Sequence, residues 1–129
     1  MLFEPDRGSA FSLSSEAHGS AVVVHVSGEL DYRSAPVLRE HLSPLWDRSE
    51  VSALVVDLSA VAFCDSVGLG ELVEALQRSE SRGMRLMLAG VQGVLARVLS
   101  ITGLRKAFEI HPDPGAALRR AAEGASPAP

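Results

Sequence analysis

The chain has a single cysteine, Cys64, so no disulfide can form within it. One unpaired cysteine fits a reducing compartment. No apolar run approaches the roughly 20 residues that a membrane-spanning helix needs. The N-terminal segment contains acids and a proline but lacks the apolar core of a secretory signal. These absences predict a cytoplasmic protein that does not insert into a membrane.

Aromatic and basic residues are also scarce. Aromatic side chains make up 5% of the chain, its formal net charge is -4 and its pI is about 5.5. Proteins that bind nucleic acid carry a basic patch, and those that bind single strands expose aromatic side chains as well. The sequence therefore predicts no direct binding to nucleic acid.

Motifs for catalysis and cofactor binding are missing. The sequence contains neither the P-loop pattern nor the glycine pattern of dinucleotide-binding folds. Its four histidines, its acids and its cysteine do not have the spacing of zinc ligands. We therefore predict that the chain is not an enzyme and holds no cofactor or metal.

What the chain does have is short aliphatic runs that alternate with amphipathic stretches. Its 129 residues, 47% of them hydrophobic, suffice for one packed domain. The predicted order is β-β-α-β-α-β-α-β-α, which favours an α/β fold with a mixed, mostly parallel sheet of four to five strands and covering helices. The predicted strands are residues 11–17, 21–28, 51–59, 84–90 and 106–111. We place this domain at residues 10–122, with flexible segments at 1–9 and 123–129.

The most informative stretch is VAFCDSVGLGELVEAL, residues 61–76, where Asp65 and Ser66 join an apolar segment to a helical pattern. Ser66 is predicted at or near the helix N-cap, where its hydroxyl would accept a hydrogen bond from the amide of Leu69 or a neighbour. An acid beside the cap suits the positive end of a helix. The same helix start would tolerate a phosphate. Ser66 is thus either a cap or a hydroxyl that another protein modifies.

A nucleophilic role for Ser66 is disfavoured. Cys64 stands where the nucleophile pattern G-x-S-x-G requires a glycine. A serine nucleophile also needs a base, and none of the four histidines has a position in the sequence that supports this role. No catalytic residue is predicted.

Two glycines, Gly68 and Gly70, fall within the first turns of the helix that follows Ser66. Each costs about 1 kcal/mol relative to alanine inside a helix. We interpret them as sites where another protein's backbone approaches closely. The later acids of this helix, Glu71 and Glu74, are predicted on its solvent face.

Two separated motifs resemble one protein family. The segment SGELDYRSAPVL, residues 27–38, resembles the T-G-E-L-D segment of STAS domains. The segment DLSAVAFCDSVGLGELVEAL, residues 57–76, resembles their D-L-x-x-V-x-x-x-D-S-x-G-L-G segment. Together they resemble a bacterial anti-sigma factor antagonist, and the resemblance extends over roughly residues 10–122.

The resemblance implies a partner-switching mechanism. The unphosphorylated antagonist would bind an anti-sigma factor that is also a serine kinase carrying ATP, and would thereby release a sigma factor. The kinase would then phosphorylate the serine that follows the aspartate of D-S-x-G-L-G, which is Ser66 here. A PP2C-type phosphatase would remove the phosphate.

The resemblance also assigns roles to further residues. Asp31 and Asp65 would contact the partner or orient the Ser66 hydroxyl, and the docking surface would be shaped by Gly68, Leu69 and Gly70. Asp31 has a second interpretation as a turn residue before the first helix, and Leu69 as a core residue.

The sequence departs from the family pattern at two positions in the motif. Val67 stands where many members have a second hydroxyl, which leaves Ser66 as the motif's one acceptor. Cys64 stands where a larger aliphatic residue is usual, and we interpret it as a small buried hydrophobic residue.

Two other functions remain open from the sequence. Some STAS proteins are accessory subunits of ATP-driven lipid transporters, and others are scaffolds of stress-signalling complexes. The intact D-S-x-G-L-G motif favours the antagonist over both.

Overall fold

The computed structural model describes residues 11–124. The predicted flexible segment 1–9 and residues 125–129 lie outside this range. Glu123 and Gly124, which we placed in the C-terminal segment, are the last residues of the final helix. No helix among the described residues is long and apolar enough to cross a membrane.

The predicted element order and fold class are confirmed. A five-stranded sheet has the spatial order β1-β2-β3-β4-β5, in which β1 and β2 are antiparallel and all later neighbours are parallel. The strands are β1 Ser12–His18, β2 Ala21–Leu30, β3 Ala53–Cys64, β4 Arg85–Ala89 and β5 Glu109–His111. The helices are α1 Ala35–Leu42, α2 Ser66–Ser81, α3 Gly93–Thr102 and α4 Pro114–Gly124, with 3-10 turns at Ser43–Asp47 and Leu104–Lys106.

The helices cover both faces of the sheet. The larger core cluster takes one face of the strands together with α1, α2 and α3, through residues such as Leu38, Leu72 and Leu99. The smaller cluster lies on the opposite face, where Ala117 of α4 packs against Val23. The chain therefore places α1, α2 and α3 in one layer and α4 in another.

The third strand is longer than predicted. The residues after Ser59, predicted as a loop, continue β3 to Cys64 because they pair with the end of β2, for example Glu29 with Phe63. Two register shifts interrupt this pairing. The pairing of β3 with β4 ends at Asp57, so the last residues of β3 pair with β2 alone. This extension of β3 leads directly to Ser66.

Local stop signals in the sequence account for the ends of two helices. Pro44 cannot donate a backbone hydrogen bond, and α1 gives way to a 3-10 turn at Ser43–Asp47. Gly103, with φ of 78°, ends α3 in the left-handed conformation that glycine adopts at little cost. The last strand is shorter than predicted because Lys106 belongs to the preceding 3-10 turn.

Glu71 does not lie on the solvent face as predicted. Its side chain is only 6% exposed, and it accepts a hydrogen bond from Nε of Arg39 at 3.0 Å. Burial raises its pKa, and the Arg39 charge opposes this shift without cancelling it. The ion pair joins α1 to α2 at the cost of burying a carboxylate.

We expect the variant Glu71→Gln to be more stable than the wild type at neutral pH, because it removes a charge that burial disfavours while its partner Arg39, 54% exposed, stays hydrated. A raised pKa in the folded state means that the wild type loses stability as the pH rises from the ordinary value of 4.5 through the raised one. Urea unfolding across this range measures the difference between variant and wild type. Glu74→Gln, at a more exposed acid of the same helix, is the control. An equal pH dependence for wild type and Glu71→Gln would contradict the prediction.

Candidate functional site

The junction between β3 and α2 is held by Asp65. Asp65, and not Ser66, is the N-cap of α2, and its Oδ1 accepts from the Gly68 amide at 2.8 Å. The other carboxylate oxygen, Oδ2, accepts from the amide of Tyr32 at 3.0 Å. One side chain therefore caps the helix and ties it to the loop between β2 and α1.

The predicted capping role of Ser66 is thus wrong. Ser66 is the first residue of α2, and the amide of Leu69 donates to the backbone oxygen of Asp65 rather than to the serine. The Ser66 side chain is exposed. Within residues 11–124, its hydroxyl has no hydrogen-bond partner, and modification at this residue stays a prediction.

Asp31 holds the neighbouring loop. Its Oδ1 accepts from the amides of Arg33 and Ser34 at 2.9 and 3.1 Å, and its Oδ2 pairs with the Arg33 guanidinium at 3.2 Å. Burial raises the pKa of Asp31, but the amide of Ser34 and the charge of Arg33 outweigh it, so the net pKa is lowered and the carboxyl group is ionised at neutral pH. These bonds match its interpretation as a turn residue, and contact with a partner stays a prediction.

The loop between β2 and α1 is further fixed by Ser34. It precedes α1 at the N-cap position, but its hydroxyl does not cap that helix. It donates to the Glu29 oxygen at 2.7 Å and accepts from the Asp31 amide at 2.9 Å. Side-chain hydrogen bonds of Asp31, Ser34 and Asp65 therefore fix both the loop between β2 and α1 and the junction between β3 and α2.

The two motif glycines have different surroundings. A Cβ at Gly68 would lie 2.2 Å from the backbone oxygen of Leu30, a contact that no side-chain movement relieves. A Cβ at Gly70 would meet nothing within 4 Å. Gly68 thus serves the packing of α2 against β2, which the sequence interpretation missed, whereas Gly70 is open to the outside. Leu69 is half-buried and packs against the core, as its second interpretation proposed.

Large apolar side chains are exposed around Ser66. Tyr32, whose amide is bonded to Asp65, is 65% exposed, while Phe63 and Val67 are 45% and 47% exposed. We call these three residues, together with Ser66 and Gly70, the Ser66 surface. The sequence pattern does not single out the two aromatic residues, because Phe63 falls in a predicted loop and Tyr32 in a stretch without periodicity.

Cys64 is buried at the base of this surface, as predicted. Burial and the adjacent charge of Asp65 raise the pKa of its thiol to about 11, so the thiol stays protonated at neutral pH. A protonated buried thiol is a poor nucleophile and metal ligand. In the part of the chain that the structure describes, no cluster of three or more histidine, cysteine or acidic side chains is arranged to hold a metal.

This fold and the motif it exposes have relatives among known proteins. Residues 12–117 match the family model of the STAS domain. The chain is therefore a STAS domain protein. An anti-sigma-B factor antagonist of Bacillus subtilis (strain 168) is 37% identical over 89 residues, which are 69% of this chain and 80% of that protein. The chain belongs to this family of anti-sigma factor antagonists, which are regulatory binding proteins rather than enzymes.

Solved structures agree with this assignment. The crystal structure of an anti-sigma factor antagonist from Mycobacterium paratuberculosis has a TM-score of 0.79 at 31% identity, over 90% of this chain and 97% of that chain. The phosphorylated form of SpoIIAA, a Bacillus cell fate determinant, shares the fold with a TM-score of 0.69 at 22% identity, over 87% of this chain and 99% of that chain.

Proposed function

We propose that the chain binds an anti-sigma factor through the Ser66 surface and so releases a sigma factor. The anti-sigma factor is a serine kinase that carries ATP, and it switches the antagonist off by phosphorylating Ser66. A PP2C-type phosphatase restores the unphosphorylated form. One observation carries this proposal: an exposed hydroxyl without a partner in residues 11–124 stands at a fixed helix start among exposed apolar side chains.

The geometry supports a docking surface that is formed before the partner arrives. Asp65 and Asp31 bind the backbone of both loops, so little conformational freedom is lost when a partner binds. Tyr32, Phe63 and Val67 supply apolar area that water must leave on binding. The exposed Ser66 follows Phe63 and precedes Val67 in the chain, so a kinase that covers this surface would meet its hydroxyl.

The chemistry of the site also supports a switch. A phosphate adds roughly -1.5 to -2 charge at neutral pH. The first amides of a helix have no acceptor within the helix, so a phosphate on Ser66 is tolerated by the antagonist itself. In the complex, the same phosphate would lie in a partly apolar interface and next to the negative charge of Asp65. The modification therefore costs binding more than it costs folding.

The deciding experiment is phosphorylation with purified components. The anti-sigma factor of the source organism, given radiolabelled ATP, is expected to label the wild type at Ser66 and to leave Ser66→Ala unlabelled, and a PP2C phosphatase is expected to remove the label. Ser81→Ala, at an exposed serine at the other end of α2, should be labelled like the wild type. Labelling of Ser66→Ala, or binding to a transporter ATPase in place of the anti-sigma factor, would refute the proposal.

Gly70 offers a separate test of the docking surface. We expect Gly70→Ala to be more stable than the wild type, by up to about 1 kcal/mol, because alanine favours the helix and its Cβ meets no atom within 4 Å. If the partner's backbone lies against this position, the added methyl group should weaken binding about tenfold or more. Calorimetric titration with the anti-sigma factor measures both wild type and variant. Unchanged affinity would show that no backbone of the partner approaches Gly70.

A further inference from the structure

A second group of exposed apolar residues lies on α3, away from the Ser66 surface. Ile101 is 76% exposed and Val94 is 51% exposed. At about 100° per residue, Val94, Arg97 and Ile101 fall within an arc of roughly 60°, opposite the buried Leu95 and Leu99. We call Val94, Arg97 and Ile101 the α3 stripe.

The α3 stripe lies in a basic segment of an acidic chain. The chain has 16 acidic residues against 12 basic ones, yet the segment 90–108 contains Arg97, Arg105 and Lys106 and no acid. All three cationic side chains are exposed. Across residues 11–124, no carboxylate lies within ion-pair distance of any of them, whereas most other described arginines have an acidic partner. These cations are therefore available to an outside partner.

The helix that carries the stripe lies in the same layer as α2, the helix that begins at Ser66. The helix α3 packs on the same face of the sheet as α1 and α2. It also contacts β3, the strand that leads to Ser66, and the residue that precedes it, Gln92, donates from its amide side chain to the Ser59 oxygen at 2.8 Å. A protein that covers the Ser66 surface can thus reach the stripe without crossing the sheet.

We propose that the α3 stripe is a second contact region for the anti-sigma factor, and that it binds a segment in which carboxylates flank an aliphatic side chain. This inference rests on the proposed function and specifies its partner surface. Carboxylates would pair with Arg97, Arg105 and Lys106, while the aliphatic side chain would cover Ile101 and Val94. Complementary charge on the partner would orient it and speed its association.

A protein segment fits these observations better than a membrane. The exposed apolar residues of the stripe are aliphatic, and no aromatic side chain of the kind that anchors interfacial helices accompanies them. The net charge of -4 opposes binding to anionic lipid.

The test compares two charge reversals by calorimetric titration with the purified anti-sigma factor. Arg97→Glu changes the stripe, and Arg119→Glu makes the same change at an exposed arginine of α4, on the opposite face of the sheet. We expect Arg97→Glu and Ile101→Ser each to weaken binding tenfold or more, and Arg119→Glu to change it less than twofold. Arg97→Glu should also flatten the dependence of affinity on salt, since it removes a screened attraction. Thermal unfolding confirms that the three variants are folded.

The other outcomes overturn the inference in distinguishable ways. Equal affinity of Arg97→Glu and Arg119→Glu, in a titration where Ser66→Asp still abolishes binding, would refute the role of the stripe and leave the proposed function intact. If the wild type does not bind the anti-sigma factor at all, both proposals fail. Cosedimentation of the wild type, but not of Arg97→Glu, with phosphatidylserine vesicles would assign the stripe to a membrane instead.

Discussion

Replacement of Gly68 by alanine is expected to destabilise the protein by about 3 kcal/mol, close to the upper end for overpacking in a core. The new Cβ would lie 2.2 Å from the Leu30 backbone oxygen and 2.9 Å from Cγ of its side chain. Neither β2 nor α2 can yield easily, because Leu30 pairs with Cys64 and its oxygen accepts from the Asp65 amide at 3.2 Å. The gain of about 1 kcal/mol in helix propensity is too small to offset this collision.

Thermal unfolding measures the effect, and a loss of 3 kcal/mol in a chain of this size corresponds to a fall in Tm of roughly 10 °C. The control is Gly70→Ala, which makes the same chemical change two residues later in a position without neighbours. We expect the first variant to melt below the wild type and the second at or above it. If the two variants melt together, the close packing of α2 on Leu30 does not determine stability.

These two glycines show what the sequence could and could not predict. Gly68 and Gly70 look alike in the sequence, and both were interpreted as openings for a partner. They differ only in the fold, where Gly68 packs against a strand nearly 40 residues earlier and Gly70 does not. By contrast, the helix itself follows from the local spacing of its apolar residues, and this prediction is correct.

The other differences have the same origin. The helical spacing predicts Glu71 on the solvent face because it falls on the side of Glu74 and Arg78, but in the fold it is buried and paired with Arg39 of α1, 32 residues away. The end of β3 was taken as a loop because only its pairing with β2 makes it a strand. Asp65 and Ser66 both belong to residue types that cap helices. In the fold Asp65 is the cap, and its carboxylate also accepts from the amide of Tyr32, which lies too far away in the chain for a local pattern to include it.

The largest effect on binding is expected from Ser66→Asp. A carboxylate at this position adds negative charge to a surface that also exposes Phe63 and Val67. A partner surface that accommodates a neutral hydroxyl would have to bury that charge without a counterion, which costs several kcal/mol. A loss of 3 kcal/mol weakens a complex by more than a hundredfold. Calorimetric titration of the anti-sigma factor with wild type and variant measures this ratio directly.

Folding and binding separate cleanly at this position. Ser66 is the first residue of α2, where an acidic side chain interacts favourably with the helix dipole, so Ser66→Asp should melt no lower than the wild type. Ser66→Ala removes only a hydroxyl that has no partner among the described residues and should keep the affinity within about threefold, a difference below 1 kcal/mol. Ser81→Asp adds the same charge at the other end of the helix and should not change binding. Equal affinities of Ser66→Asp and Ser66→Ala would exclude charge at Ser66 as the switch, because the two variants differ in the feature that a phosphate changes.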